Sequence, residues 1–175
     1  LSFMDDYTIK TILSLEAADA LRGYWERVQT HPAAGFAFYV HIIRSRSAIA
    51  APCIFQVLRG NETVALLVCR LEKTAVPLRF GYAHIGRIRV RQLVMIAGGF
   101  MGEISASLWR QLLEHIEECM PAMKLDLAVF EEVRVDSWQH EGLVDFFGPH
   151  RIKPIGPPTE HWQLRLPKTW DDFMM

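Results

Sequence analysis

The chain has 175 residues, of which 50% are hydrophobic and 22% are charged, and this composition can bury the core of one domain of ordinary size. Its 19 Lys and Arg nearly balance 20 Asp and Glu, which excludes a strongly basic nucleic-acid-binding protein and a strongly acidic tail protein. The three Cys stand far apart, so we expect neither a disulfide scaffold nor a CxxC zinc site. No stretch has the pattern of a membrane span or a signal peptide, and we expect a cytoplasmic protein.

The first part of the chain predicts one strand and two helices. Residues 7–13 are rich in β-formers and predict the strand. Ser14 is a suitable N-cap, and the apolar residues that follow at spacings of three and four predict a helix ending near His31 and Pro32. A second helix is predicted over residues 34–44.

The middle of the chain predicts strands and then the clearest helix. Residues 53–59 and 63–71 flank a turn at Gly60 and Asn61 and predict a hairpin. Further strands are predicted over residues 80–90 and 93–97, followed by a glycine-rich turn and a helix. This helix has a regular apolar stripe, a cap at Ser105 and a stop at Pro121.

The last part predicts a buried strand over residues 124–130 and a helix that a capping box of Asp136 and Gln139 opens and Gly148 ends. Two strands and the start of a helix complete the chain, at residues 151–155, 162–166 and 169–173. The order β-α-α-β-β-β-α-β-α-β-β predicts an α/β (α+β) fold, with a mixed central sheet and helices on both faces.

This element order resembles that of the GCN5-related N-acetyltransferases (GNAT). The local stretches GNETVALLVCRL, LVMIAGGFMGEIS and LPKTWDDF, together with residues 25–40, are similar to the N-terminal half of CelD-like and FemAB-like proteins, which carry two GNAT-type units in tandem. The resemblance implies a GNAT-like domain over residues 1–166. It also implies that residues 167–175 begin a helix that leads towards a second unit.

The resemblance further implies acyl transfer from acetyl-CoA or another acyl-CoA to an amine or hydroxyl, in polysaccharide or cell-envelope metabolism. The stretch at the position of the family's pyrophosphate loop, and therefore the candidate cofactor site, is Gly98, Gly99, Phe100, Met101 and Gly102. Two of these residues are bulky and Glu103 would repel phosphate, which predicts a degenerate unit that shapes the substrate groove. Two alternatives stay open: a complete single-domain N-acetyltransferase with an atypical loop, and a non-catalytic glycan- or protein-binding module. The sequence therefore does not settle whether the chain is an enzyme.

Two sets of charged residues stand out. Glu131 and Glu132 follow the buried strand, where a general acid or base could lie; because neighbouring strand residues point to opposite faces, at most one would serve. Arg87, Arg89 and Arg91 alternate with apolar residues and share one strand face, as an anion site for a phosphate or acidic glycan or as a solvated edge.

Other classes of site receive little support. The seven His are scattered, and His140-Glu141 lacks the second histidine of a zinc-protease helix, so no metal is expected. Cys69 and Cys119 fall on apolar faces and are expected in the core. The expected partners are a second GNAT-like domain or another copy of the chain, and a small-molecule or glycan acceptor; the charge balance disfavours nucleic acid.

Overall fold

The computed structural model describes residues 7–46 and 50–152 and contains a five-stranded sheet in the order β1-β2-β3-β4-β5. The strands are β1 Tyr7–Ile12, β2 Ala50–Arg59, β3 Glu62–Phe80, β4 Ala83–Gly102 and β5 Leu127–Phe130. The helices are α1 Leu15–Asp19, α2 Arg22–Val28, α3 Phe36–Ser45, α4 Ala106–Ala122 and α5 Trp138–Phe147, with a 3-10 turn at Pro32–Ala34.

The sheet is mixed. β1 to β4 pair antiparallel with their neighbours, whereas β5 pairs parallel with β4. β3 and β4 are 19 and 20 residues long, and their ladder continues beyond the other strands as far as the Phe80↔Ala83 pair. Residues 73–91 therefore form a two-stranded projection, which we call the arm.

Helices cover both faces of the sheet, as the sequence predicts. On one face α4 contributes Leu108, Leu112 and Ile116 to a buried cluster with β2, β3 and β4. On the other face Trp25 and Tyr39 anchor the helices before β2. The Trp25 indole donates to the Ala34 carbonyl at 2.6 Å, and the Tyr39 hydroxyl donates to the Cys69 carbonyl at 2.6 Å. Trp25 thus links α2 to the 3-10 turn, and Tyr39 links α3 to β3.

The single helix predicted from Ser14 to His31 is wrong. Ser14 does cap a helix, accepting from the Ala17 N–H at 3.1 Å, but α1 ends at Asp19 and α2 begins at Arg22. The Leu21 N–H bonds the Ala18 carbonyl three residues back, at 3.0 Å, and this tighter turn interrupts the helix.

The glycine-rich turn predicted after residue 97 is also wrong. The stretch Gly98–Gly102 belongs to β4, and the two strands predicted over residues 80–90 and 93–97 lie within β3 and one continuous β4. The reason is long-range pairing: Phe100 and Met101 stand opposite Leu67 and Leu66 of β3, and this ladder overrides the local turn preference of glycine.

The predicted boundaries of α4 and α5 are close to the observed ones. Ser105 caps α4 and accepts from the Leu108 N–H at 3.2 Å, but Pro121 lies within the last turn rather than beyond it. At α5 the predicted cap is off by one residue: Ser137 accepts from the His140 N–H at 3.3 Å, while Arg134 holds the Asp136 carboxylate. The Arg134 guanidinium also keeps the pKa of Asp136 below its usual value.

The predicted domain boundary at residues 166 and 167 and the elements predicted after residue 155 lie outside the described residues. Arg151 and Ile152, the start of a predicted strand, are described and are not in a strand. Within the described ranges, no helix combines the length and apolar character needed to cross a membrane.

Replacing Leu112, which is fully buried between α4 and the sheet, tests this packing. We expect Leu112→Ala to lower the free energy of unfolding by about 2–5 kcal/mol, because the cavity removes both hydrophobic transfer and contact energy. The matched control on the same helix is Glu118→Ala at an exposed position, with an expected change of about 0.5 kcal/mol or less. Urea unfolding measures both, and equal effects would contradict the packing described.

Candidate functional site

β4 and β5 separate at one edge of the sheet. Their parallel pairing ends at the Met95↔Phe130 pair, and the last hydrogen bond between them joins the Glu131 N–H to the Met95 carbonyl at 3.1 Å. β5 stops there, while β4 continues for seven residues beside β3. Ligands of α/β proteins commonly bind where neighbouring parallel strands part at their carboxyl ends, so this parting is the candidate site.

A bulge in β4 shapes the site. Leu67 pairs with Phe100 and Cys69 pairs with Met95, so residues 96–99 of β4 stand opposite Val68 alone. Gly98 within the bulge has a φ of +68°, a conformation that side chains with a Cβ rarely adopt. The bulge therefore bends β4 where it leaves β5.

His31 occupies the space beside Gly98. A Cβ atom at Gly98 would come closer than 3.0 Å to the His31 side chain. The His31 Nδ1 accepts from the Ala33 N–H at 3.2 Å, which leaves the proton on Nε2. Nε2 faces the Glu132 carboxylate at 3.8 Å.

The other two glycines of the stretch also face protein atoms. A Cβ at Gly99 would lie 2.5 Å from the Val68 carbonyl oxygen, and one at Gly102 would lie closer than 3.0 Å to the Tyr24 hydroxyl. That hydroxyl donates to the Val64 carbonyl. Burial, with a further contribution from Glu103, raises the pKa of Tyr24, so it remains a protonated donor.

Phe100 and Met101 are directed into the two cores. The Phe100 ring stacks on Trp109 of α4 with ring centroids 5.3 Å apart, and Met101 is buried in the cluster on the opposite face. Their bulk therefore fills the protein interior on either side of β4.

The start of α4 carries a paired carboxylate. Arg59 donates to Glu103 through two hydrogen bonds of 2.6 and 3.2 Å and to the Tyr7 hydroxyl at 2.9 Å. The Ser105 hydroxyl already accepts one of the first N–H groups of the helix. Glu103, just before α4, is thus held in an ion pair with Arg59 of β2.

A cluster of charged residues lies where β3, β4 and β5 run side by side. Arg70 donates to Glu72 at 2.6 Å and to Glu131 at 2.8 Å, and Gln92 donates to Glu72 at 3.1 Å. The Arg70 and Glu72 side chains are each only 14% exposed. Burial opposes the charge on Arg70, but the hydrogen bonds to both carboxylates outweigh it and raise the pKa of the guanidinium.

Glu131 and Glu132 therefore both meet partners at the parting of the strands. The expectation that only one of them would point into the site relied on strand alternation, which stops with β5 at Phe130. Glu132 has a φ of +55°, and this left-handed residue turns the chain. Glu131 is bonded to Arg70, and Glu132 faces His31.

The sequence did not reveal His31, Arg70 or Glu72 as members of this cluster. Arg70 lies 61 residues from its partner Glu131, and His31 lies 101 residues from Glu132. One signal was present: Arg70 and Glu72 put two charges on one strand face directly after the apolar run of residues 64–69.

The remaining candidates lie elsewhere or are buried. Cys53 and Cys69 are buried, and burial raises the pKa of Cys53 to about 12 and that of Cys69 well above its usual value. Arg87, Arg89 and Arg91 are on the arm. Among the described residues, no group of three or more His, Cys, Asp or Glu is placed to hold a metal ion.

A surface groove of about 850 Å³ lies between α1 and α3. Its walls include Leu15, Phe36 and His41, and none of its lining residues belongs to the parting of β4 and β5. The groove and the candidate site are thus separate features.

Comparison with solved structures places the fold. The chain matches the crystal structure of a probable acetyltransferase with a TM-score of 0.50 and 14% identity, over 93% of this chain and 99% of that one. It also matches a ribosomal-protein-alanine N-acetyltransferase from Brucella melitensis biovar Abortus 2308, with a TM-score of 0.44 and 10% identity, over 93% of this chain and 100% of that one. No protein-family model and no curated protein matches the chain. The predicted mixed α/β fold is confirmed, and the chain shares its fold with the probable acetyltransferase.

The charged cluster can be tested with a double-mutant cycle. We expect Arg70→Met to lower the free energy of unfolding by about 3 kcal/mol, because the largely buried Glu72 carboxylate loses its nearer cation and keeps only Arg46, at 3.8 Å. Adding Glu72→Gln should recover part of that loss, so that the double variant is more stable than the sum of the single changes predicts. Urea unfolding of the four proteins measures the coupling.

The matched control is Arg110→Met, which removes a surface pair between Arg110 and Glu114 at 3.2 Å. The Arg110 side chain is 74% exposed, so the expected cost is about 0.5 kcal/mol or less. If Arg70→Met lowers the free energy of unfolding no more than Arg110→Met does, the charged cluster does not stabilise the fold.

Proposed function

We propose that this chain is the GNAT-like N-terminal unit of an acyltransferase that moves an acyl group from acyl-CoA to an amine or hydroxyl. In this proposal the unit supports the assembly and shapes the acceptor groove, while the acyl-CoA site belongs to a second GNAT-like unit. The fold shared with the GNAT acetyltransferases supports the general assignment. The contacts at the parting of β4 and β5 support the proposal that this unit has a supporting role and holds no acyl-CoA.

The observation that carries the proposal is the filled space along the Gly98–Gly102 stretch. A diphosphate cradle needs backbone N–H groups that converge on open space. Here the stretch lies in β4, where residues 100–102 pair with residues 65–67 of β3. On the side-chain side of Gly98, Gly99 and Gly102 lie His31, the Val68 carbonyl and the Tyr24 hydroxyl. These residues do not fit the diphosphate of acyl-CoA.

The charges at the start of α4 support the same conclusion. Arg59, whose guanidinium could attract a diphosphate, is instead engaged by the Glu103 carboxylate through two hydrogen bonds. The bulky Phe100 and Met101 side chains are directed into the cores, so the obstruction comes from the groups packed against the glycines.

The two carboxylates at the parting also fit a supporting role. A general base must reach the proton that it removes from the acceptor. Glu131 instead accepts from Arg70 at 2.8 Å, and Glu132 lies 3.8 Å from His31. We infer that both residues fix the end of β5, so that the parting keeps its shape beside the second unit.

Isothermal titration of acetyl-CoA into the 175-residue chain tests the proposal. We expect no binding at concentrations up to about 1 mM, the upper end of ordinary substrate affinities. The same titration into a longer protein that carries a second GNAT-like unit should show binding. Micromolar binding by this chain alone would contradict the proposal.

If this chain binds acetyl-CoA, two matched glycine variants test whether the chain is a complete N-acetyltransferase. Gly98→Glu places a charged side chain in the parting, whereas Gly60→Glu makes the same change at a glycine of similar φ, +62° against +68°, with no atom within 4 Å. Binding lost only in Gly98→Glu, in a variant that circular dichroism shows to be folded, would locate acetyl-CoA at the parting and support the complete-enzyme alternative.

A further inference from the structure

The arm, residues 73–91, is built differently from the rest of the protein. It holds five of the chain's 19 Lys and Arg and none of its 20 Asp and Glu. The next carboxylate along the chain is Glu103. In the rest of the described chain, many cations are paired, for example Arg70 with Glu72 and Arg59 with Glu103.

One face of the arm is basic. In the ladder Lys73 pairs with Arg91, Ala75 with Arg89 and Pro77 with Arg87, so the four charged side chains alternate onto the same face. Lys73 and Arg91 are directly opposite each other, which is unfavourable for like charges. Within the described ranges none of the four forms an ion pair; the Asp126 carboxylate accepts from the backbone N–H of Arg91 at 2.7 Å.

The opposite face is apolar, and large apolar side chains are concentrated at the tip, which also contains the Arg79↔His84 pair. Val76 pairs with Ile88, and Leu78 stands opposite Gly86; Leu78 and Ile88 are about half exposed. At the tip Phe80 is 80% exposed, Tyr82 is fully exposed and Ile85 is 66% exposed. A projecting cluster of large apolar side chains is unusual on a protein surface and marks a contact site.

We propose that the arm docks the protein on an anionic phospholipid surface, with its tip in the interface and its basic face among the headgroups. The two features together favour this partner. A polyanion such as RNA would attract the arginines but would leave the apolar tip and the Leu78–Ile88 face in water. The hydrocarbon boundary of a membrane accepts Phe, Tyr and Ile, and its anionic headgroups attract Arg and Lys.

The ladder places the charges at suitable heights. The Pro77↔Arg87 pair is three rungs above the Phe80↔Ala83 pair, which is about 10 Å along the arm. A tip buried by about 5–10 Å would therefore bring Arg87 to the level of the headgroups. Arg89 is two rungs higher, about 7 Å, and stays within the reach of the surface potential at physiological salt.

Vesicle co-sedimentation of the full chain tests this proposal. We expect binding to vesicles of phosphatidylcholine and phosphatidylglycerol, and none to phosphatidylcholine alone. The variant Phe80→Ser/Tyr82→Ser/Ile85→Ser should bind at least about tenfold more weakly, because the apolar tip is lost. Arg87→Glu/Arg89→Glu should also weaken binding by at least about tenfold, since each cation near such a surface contributes roughly a fivefold factor.

Matched controls make the same changes elsewhere on the surface. Phe38→Ser removes an exposed aromatic ring from α3, and Lys10→Glu/Arg44→Glu reverses two exposed charges outside the arm. Both should bind vesicles like the unchanged protein. All replaced side chains are exposed, so circular dichroism and thermal unfolding should match throughout.

Several outcomes would overturn the proposal. One is the absence of vesicle binding at about 0.15 M salt. Another is binding that survives the tip replacement and is matched by binding to a homopolymeric RNA, which would assign the basic face to nucleic acid. A third is an arm-dependent dimer, seen by sedimentation velocity, with vesicle binding unchanged by both arm variants; the partner would then be a second copy.

Discussion

The close approach of β4 to its neighbours at Gly98 and Gly99 is the constraint on which the candidate site depends. Residues 96–99 pass opposite Val68 alone, and this is possible because Gly98 adopts a φ of +68° and Gly99 lets the Val68 carbonyl come within van der Waals range. The bend that results separates β4 from β5 and gives His31 its place. In an acyl-CoA site such glycines would expose backbone N–H groups to a ligand; here they admit the protein's own side chains and carbonyls.

The charged cluster depends on the same geometry. Since β5 ends at Phe130, where β4 bends away, Glu131 is free to reach Arg70 across β4 at 2.8 Å. Glu132 then turns towards His31. Ion pairs of this kind stabilise a fold only when their geometry offsets the cost of removing the charges from water. In the proposed supporting role, the two carboxylates hold the end of β5 through their contacts with Arg70 and His31.

The parts of the fold that local physics determines could be predicted from the sequence. The apolar stripe of α4 and its Ser105 cap, and the hairpin around Gly60 and Asn61, are short-range features. The Gly98–Gly102 stretch was misassigned because its structure is set by pairing with residues 65–67 of β3, which no local pattern encodes. The site was harder still, because His31 and Arg70 meet their partners only through tertiary structure. The glycines of the stretch lie where β4 packs closely against other protein atoms, and their contact with a cofactor stays a prediction.

The arm differs from the rest of the described chain, here called the body, in whether its cations are paired with carboxylates. This difference bears on function. In the body, Arg70 and Arg59 are held by carboxylates in defined geometry. In the arm, Lys73 and Arg91 stand opposite each other with no carboxylate in the whole segment, although a two-stranded ribbon has little packing energy with which to tolerate repulsion. The same ribbon leaves Phe80 and Tyr82 in water. Both features destabilise the isolated protein, and both become favourable against one surface that is negative outside and apolar inside.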